Sequence, residues 1–295
     1  MKIGYFSANA SPFIGAVFNE KVFSITGVSW RGEHPFLQRL TDLVRTDNFR
    51  ASLFQSLYEE GRDREELWYD LRDLTFLPLY RPGKIICMGL NYAEHARETG
   101  RKAPEEPIYF EKAATAVTAH DQPIIYPRNL GRIDPEAELA VIIGKRAKNV
   151  GEGDAAEYIG GYTILNDVTA RDMQKVDMEN RRPWYRSKSI DTFCPLGPWI
   201  VTADEIGPTE PLRVKLRVNG EVRQDDSTGS LIFTIPSLIA RISSLITLEA
   251  GDIISTGTPE GIAPIYPGDV IEVEVEKIGI LRNPVIMAGA RDKGQ

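Results

Sequence analysis

A chain of 295 residues can bury a large core and form one or two domains. With 42% hydrophobic and 26% charged residues it reads as an ordinary globular protein, and a net charge of -7 argues against general affinity for nucleic acid or anionic membrane, both of which need basic patches. Apolar runs such as LAVIIG are too short to span a bilayer, and MKIGYFSANASPFIG lacks the sustained apolar stretch of a signal peptide, so the expectation is a cytoplasmic protein.

In chain order, IGAVFNEKVFSIT predicts a hairpin turning at Asn19-Glu20. PFLQRLTDLV and REELWYDLRDL carry apolar residues at helical spacing, and EEGRDREE reads as a solvated helix start or a loop. These elements make residues 1–80 a small accessory domain in which no reactive group is assembled. After the turn LPLYRPGK, residues 81–295 form a second domain in which β-branched runs alternate with Gly, Pro, Asn and Asp. LRVKLRVNGEVRQ alternates apolar and polar residues about Asn219-Gly220, the signature of a type I′ hairpin. IPSLIARISSLITLEAGD is the one clear helix of this half, entered at Pro236 and closed before Gly251. The predicted class is α+β, with an antiparallel or mixed sheet and few helices. Cys87 and Cys194 lie in apolar surroundings and read as buried structural thiols, and no disulfide framework or zinc spacing is present.

The chemistry concentrates around RIDPEAELAVIIG. In a strand Glu136 and Glu138 share one face, roughly 6.5 to 7 Å apart, and like charges there repel unless a cation or a proton lies between them. The pair is therefore either half of a site for a hard divalent cation or the polar face of a half-exposed strand. GYTILNDVTARDMQ leaves Asp167 at a strand end, as a ligand or as a turn or N-cap aspartate, with Asp172 a second candidate for the cap. In GLNYAEHARETG, His95 and Glu98 stand at i, i+3 and share a face if the segment is helical, an arrangement that orients an imidazole as a general base. Lys188 sits in the aromatic context of PWYRSKSIDTFCPLGP, and the STGTPEG turn offers backbone amides and the Thr258 hydroxyl to a carboxylate.

Taken in order, GLNYAEHARE, DPEAELAVIIGKR, GGYTILNDVTARDMQ, RSKSIDTFCPLGPWIV and LIFTIPSLIARISSLITLEAGDIISTGTPEG resemble the fumarylacetoacetate hydrolase family from about Lys84 to Pro284. The resemblance implies that family's mixed-sheet roll or barrel, with a small N-terminal α+β unit. It places metal ligands at Glu136, Glu138 and Asp167, a His/Glu dyad on a lid at His95 and Glu98, and an active-site lysine at Lys188. Substrate contacts fall on Lys112, Arg171, Gln174 and Thr258. The chain departs from the family at Ala113 and Ala114, where many members have proline and a small hydroxyl residue, and at Ala263, where glycine is common. Mg²⁺ or Mn²⁺ is the implied cofactor, a homodimer the implied assembly, and a 2-oxo or 2,4-dioxo acid the implied substrate. The expected reaction is hydrolysis of a C–C bond in an acylpyruvate: His95 and Glu98 activate water, and a metal-stabilised pyruvate enolate departs. Oxaloacetate decarboxylation and isomerisation of ring-cleavage products yield the same enolate and stand as alternatives. A non-catalytic metabolite-binding role is the remaining one.

Overall fold

The computed structural model describes residues 1–28, 38–46, 48–98 and 100–289. Two sheets account for most of it. The larger has twelve strands, and its main path runs from Trp68–Asp70 through the N-terminal strands to Cys194–Thr202, Ile159–Asn166, Ala137–Ile143, Ile253–Ser255, Ile85–Gly89 and Ile108–Glu111. The smaller has five, with Glu221–Ser227, Arg213–Val218, Val270–Val275, Gly279–Met287 and Ile124–Tyr126 in that order. Most pairings are antiparallel, but Ile253–Ser255 lies parallel to Ile85–Gly89, and Gly279–Met287 lies parallel to Ile124–Tyr126. The class is thus α+β with mixed sheets, as expected, and neither sheet closes into a barrel.

Ala137–Ile143 is buried on both faces, which explains its unbroken apolar run. Its odd residues Leu139, Val141 and Ile143 join a core with Val214, Leu216, Val273 and Val275 of the smaller sheet. The helix Ile235–Leu245 packs there through Leu238, Ile239 and Ile242. The even residues Ala140 and Ile142 join a second core with Ile3, Ile14 and Phe54 of the N-terminal segment. That segment is also hydrogen-bonded into the larger sheet, with Lys2 opposite Val201 and Ile3 opposite Ile200. Both cysteines are buried free thiols, and burial pushes Cys194 up to about 12.

Both predicted hairpins form, with Asn19, Asn219 and Gly220 at φ of 53°, 52° and 82°. The helix predicted over REELWYDLRDL does not: Glu65–Leu67 and Leu71–Asp73 are single 3₁₀ turns flanking the strand Trp68–Asp70. Trp68 and Tyr69 pair with Phe23 and Val22, and Trp68 packs on Phe18, Tyr58 and Phe23, so cross-strand aromatic contacts override the helical spacing. The helix of this region is Ala51–Gly61, so the EEGRDREE charges close a helix instead of opening one. Of the helix predicted over PFLQRLTDLV, Leu40–Val44 is helical, and its start lies outside the described residues, as does His34. The second half also contains a helix the sequence reading passed over, Arg171–Glu179. No helix among the described residues is long and apolar enough to cross a membrane.

Candidate active site

The sheet itself assembles the acidic cluster. Glu138 lies opposite Leu165 in the pairing of Ala137–Ile143 with Ile159–Asn166, and Asp167 follows that second strand directly, its amide donating to the Glu136 carbonyl at 2.9 Å. Asn166 Oδ1 accepts the Glu136 amide at 3.0 Å and fixes the turn into the strand. One carboxylate oxygen each from Glu136, Glu138 and Asp167 then lies within 4.8 Å of the others, and all three residues are buried. The half-exposed-strand reading of Glu-Ala-Glu is excluded by this burial.

The three carboxylates are held differently. Lys188 Nζ donates to Glu136 Oε2 at 2.8 Å and to Asp167 Oδ2, while Lys112 Nζ donates to Asp167 Oδ1 at 2.6 Å from behind. Arg171 pairs with Glu136 Oε1 and, through Nε at 2.8 Å, with Asp134 Oδ2. Among the described residues Glu138 receives only neutral donors, Ser255 Oγ at 2.5 Å and the Gly257 amide at 3.1 Å. Their titrations diverge accordingly. Burial raises the Glu136 carboxyl, but Lys188 and Arg171 beside it outweigh that and hold it far below the usual range. At Glu138 burial acts with the charges of Asp167 and Glu136, and together they push the carboxyl well above it. Burial lowers Lys188, yet Asp167 and Glu136 leave it raised overall, so it stays a cation at neutral pH.

Three buried carboxylates in reach of one another, one of them without a cationic partner among the described residues, form a donor set that could hold a hard divalent cation, which takes oxygen ligands at about 2.0–2.6 Å. Lys112, Lys188, Arg171 and Arg132 are paired with Asp134, Glu136 and Asp167, so those three carboxylates are already offset before a divalent ion enters. A bound divalent ion therefore leaves an excess of positive charge facing the cleft, suited to an anionic substrate.

The cleft above the cluster has a volume of about 400 Å³, the size of a site for a small molecule. Glu136, Lys188, Arg171, Gln174, Thr258 and His95 line it. Arg171 Nη1 donates to Gln174 Oε1 at 2.7 Å, and Gln224 Nε2 donates to Thr258 Oγ1 at 2.9 Å, so both polar contacts are preset. Lys112 is placed beneath the cluster, bonded to Asp167 and the Val168 carbonyl, and does not line the cleft. Asp172 does not cap its helix; the N-cap is Ala170, and Asp172 Oδ2 accepts the Arg132 amide at 2.9 Å.

The helix Ala93–Glu98 brings the dyad to the mouth, with His95 Nδ1 3.1 Å from Glu98 Oε2 and the histidine buried. Asn91, entering it, is bound to Phe233 and Thr256. At the other end Glu98 Oε1 accepts the Gly261 amide at 3.0 Å. Gly261 has φ +99°, and a Cβ there would lie 2.0 Å from the Arg223 carbonyl oxygen. Gly261→Ala should therefore move this loop, loosen the Glu98 tether and destabilise the protein by about 1–3 kcal/mol, measurable by urea unfolding. An unfolding midpoint equal to wild type would show that the loop bends freely.

Sequence reasoning missed Asp134, Ser255, Gln224, Arg101, Lys175 and Trp184. Asp134 carries a signal, standing two residues before Glu136 with the same strand parity. Lys175 shares the helix Arg171–Glu179 with Arg171 and Gln174, and Ser255, Gln224, Arg101 and Trp184 come from other elements.

Residues 84–286 match the family described as Fumarylacetoacetate (FAA) hydrolase C-terminal. The chain belongs to this family. It is 42% identical over 222 residues to the protein named oxaloacetate tautomerase FAHD2A, mitochondrial, of Bos taurus, covering 72% of this chain and 70% of that one. The maleylpyruvate hydrolase of Sphingobium sp. SYK-6, in complex with manganese(II) and pyruvate, superposes with a TM-score of 0.80 at 30% identity, covering 97% of this chain and 99% of the other. The 2-hydroxyhepta-2,4-diene-1,7-dioate isomerase of Mycobacterium marinum superposes at 0.76 with 32% identity, covering 98% and 99%. These proteins include a hydrolase, an isomerase and a tautomerase, so the chain is an enzyme of a family whose members share a platform and differ in reaction.

Proposed function

We propose that the protein is a divalent-cation-dependent enzyme that moves a proton between C3 and the 2-oxo oxygen of a dianionic 2-oxo acid, with keto–enol interconversion of oxaloacetate as its reaction. The observation that carries this is the His95–Glu98 dyad set in the wall of a small cleft whose floor is Glu136, Lys188 and Arg171. A cation held by Glu136, Glu138 and Asp167 would supply Lewis-acid polarisation of the 2-oxo group. Lys188 and Arg171 keep the floor positive and orient the inner carboxylate, and Thr258 and the Gln174 amide offer hydrogen bonds beside it. With Nδ1 engaged by Glu98, His95 Nε2 is the ring atom that takes the C3 proton while the C3–H electron pair forms the C2–C3 double bond. The C2=O π pair moves onto O2, which takes a proton from water or from protonated His95 to complete the enol. The similarity to a named oxaloacetate tautomerase favours this substrate.

A second reading is favoured by the same dyad together with the maleylpyruvate hydrolase likeness, which spans nearly the whole of both chains. Here His95 accepts a proton from water, the oxygen adds to C4 of a 2,4-dioxo acid, and the C3–C4 bond breaks. Its electron pair leaves as pyruvate enolate, which is then protonated at C3. The deciding experiment follows three reactions with Mg²⁺ or Mn²⁺ and a cation-free control: decay of the oxaloacetate enol absorbance, pyruvate release from oxaloacetate, and cleavage of acetylpyruvate and maleylpyruvate. Enol decay far faster than pyruvate release supports tautomerisation. Predominant C–C cleavage overturns it in favour of the hydrolase, and predominant pyruvate release from oxaloacetate assigns a decarboxylase.

A further inference from the structure

The cleft has a direction that the inner site does not use. Arg171, Gln174, Lys175 and Met178 line it from the helix Arg171–Glu179, at the i, i+3, i+4, i+7 spacing of one helical face. At 1.5 Å rise per residue, Lys175 stands about 6 Å and Met178 about 10 Å along the axis from Arg171. The opposite wall is aromatic. Lys188 Nζ lies 4.8 Å from the Phe110 ring centroid, Phe110 and Trp184 are 5.5 Å apart, and the Arg101 guanidinium is 5.9 Å from the Trp184 ring. Arg101 closes the figure, its Nη2 reaching Met178 Sδ at 3.3 Å at the outer end of the helix. Both walls thus lead from the inner cations Arg171 and Lys188 to a second cationic end at Lys175 and Arg101.

The two ends differ in what satisfies them. Arg171 and Lys188 are each held by two carboxylates. Arg101 rests on a ring and a thioether, its backbone amide bonded to Ala96, and among the described residues neither it nor Lys175 has a carboxylate at ion-pair distance. A guanidinium set near an indole ring, lining a cleft and without a carboxylate at ion-pair distance among the described residues, is preset for a carboxylate.

We propose that Lys175 and Arg101 form an outer carboxylate subsite that makes the enzyme select dianionic over monoanionic 2-oxo acids of equal length. The proposal rests on the 2-oxo acid reading above, which seats the inner carboxylate at Arg171 and Lys188. Because the Arg101 amide also closes the turn after Ala93–Glu98, an occupied subsite is joined to the helix that carries His95.

The test is calorimetric titration of the Mg²⁺-loaded protein with two stable acids, 2-oxoglutarate and 2-oxopentanoate, which differ by a carboxylate in place of a methyl group. The wild type should bind the diacid about 10- to 100-fold more tightly, as charge-assisted hydrogen bonds provide. Arg101→Met and Lys175→Met should each shrink that ratio by several-fold or more, with Arg101→Lys recovering part of it. Equal affinity of the wild type for both acids overturns the subsite alone. Weakening of both acids to the same degree in the variants also overturns it, because Arg101 and Lys175 then act only as supports. Failure of the wild type to bind either acid overturns the inner-site reading and the subsite with it.

Discussion

Glu138→Gln should abolish divalent-cation binding and turnover while raising the melting temperature of the cation-free protein. Glu138 is the carboxylate of the cluster that, among the described residues, receives only neutral donors, from Ser255 and Gly257, and a glutamine oxygen can accept both. Burial and the charges of Asp167 and Glu136 raise its carboxyl well above the usual range. A carboxyl raised on folding contributes stability at low pH and loses it as pH rises from the ordinary carboxylate range through its raised value. At neutral pH the cation-free wild type is therefore strained in a way the glutamine variant is not, and a gain of roughly 1 kcal/mol would raise Tm by about 2–4 °C in a chain of this size. The gap between variant and wild type should widen as pH increases over that interval. Cations reverse the comparison. At a hundred times its Kd a ligand adds about 2.7 kcal/mol, so Mg²⁺ or Mn²⁺ should raise the wild-type Tm by roughly 5–10 °C and leave the variant unmoved. A variant that keeps the cation-induced shift would remove Glu138 from the ligand set. A cation-free variant that melts below wild type would mean that its carboxylate serves packing instead.

What the sequence announces follows from how local each cause is. The turns at Asn19 and Asn219-Gly220 need positive φ at adjacent positions, a demand met by a few residue types, so they are readable without tertiary knowledge. The spacing of Glu136 and Glu138 is likewise local, since alternation predicts one face for them, Glu138 lying in Ala137–Ile143 and Glu136 immediately before it, and i, i+3 brings His95 to Glu98. Arg171–Glu179 fails as a sequence signal for the opposite reason. Its inward face holds Gln174 and Asp177 instead of apolar residues, and a search for apolar periodicity passes over a helix that lines a polar cleft. REELWYDLRDL misleads because its helical spacing is real but weaker than the pairing of Trp68 and Tyr69 with residues more than forty positions earlier. Lys112 shows the limit of a position carried over by resemblance. The lysine is at the site, but its bond to Asp167 from the side away from the cleft depends on how Ile108–Glu111 meets Ile85–Gly89.

His95→Gln should lower kcat by about 10²- to 10⁴-fold, the usual contribution of a positioned acid–base group, without changing the cation-induced rise in Tm. The separation of effects follows from the architecture. His95 sits on a short helix at the mouth, whereas the acidic cluster is built from strand ends and is held by Lys112, Lys188 and Arg171. Glu98 is expected to matter less than His95, because it acts through the imidazole it orients. It is fixed from both sides, by His95 Nδ1 and by the Gly261 amide. Glu98→Gln keeps a hydrogen-bond acceptor for Gly261 but removes the charge behind the ring, so its loss should be closer to about tenfold and confined to kcat. Both proposed reactions need His95 to hold a proton in transit, and they differ only in whether that proton leaves carbon or water. The variant therefore tests the dyad independently of which reaction prevails. A His95→Gln enzyme within about threefold of wild-type turnover would show that neither step uses this histidine.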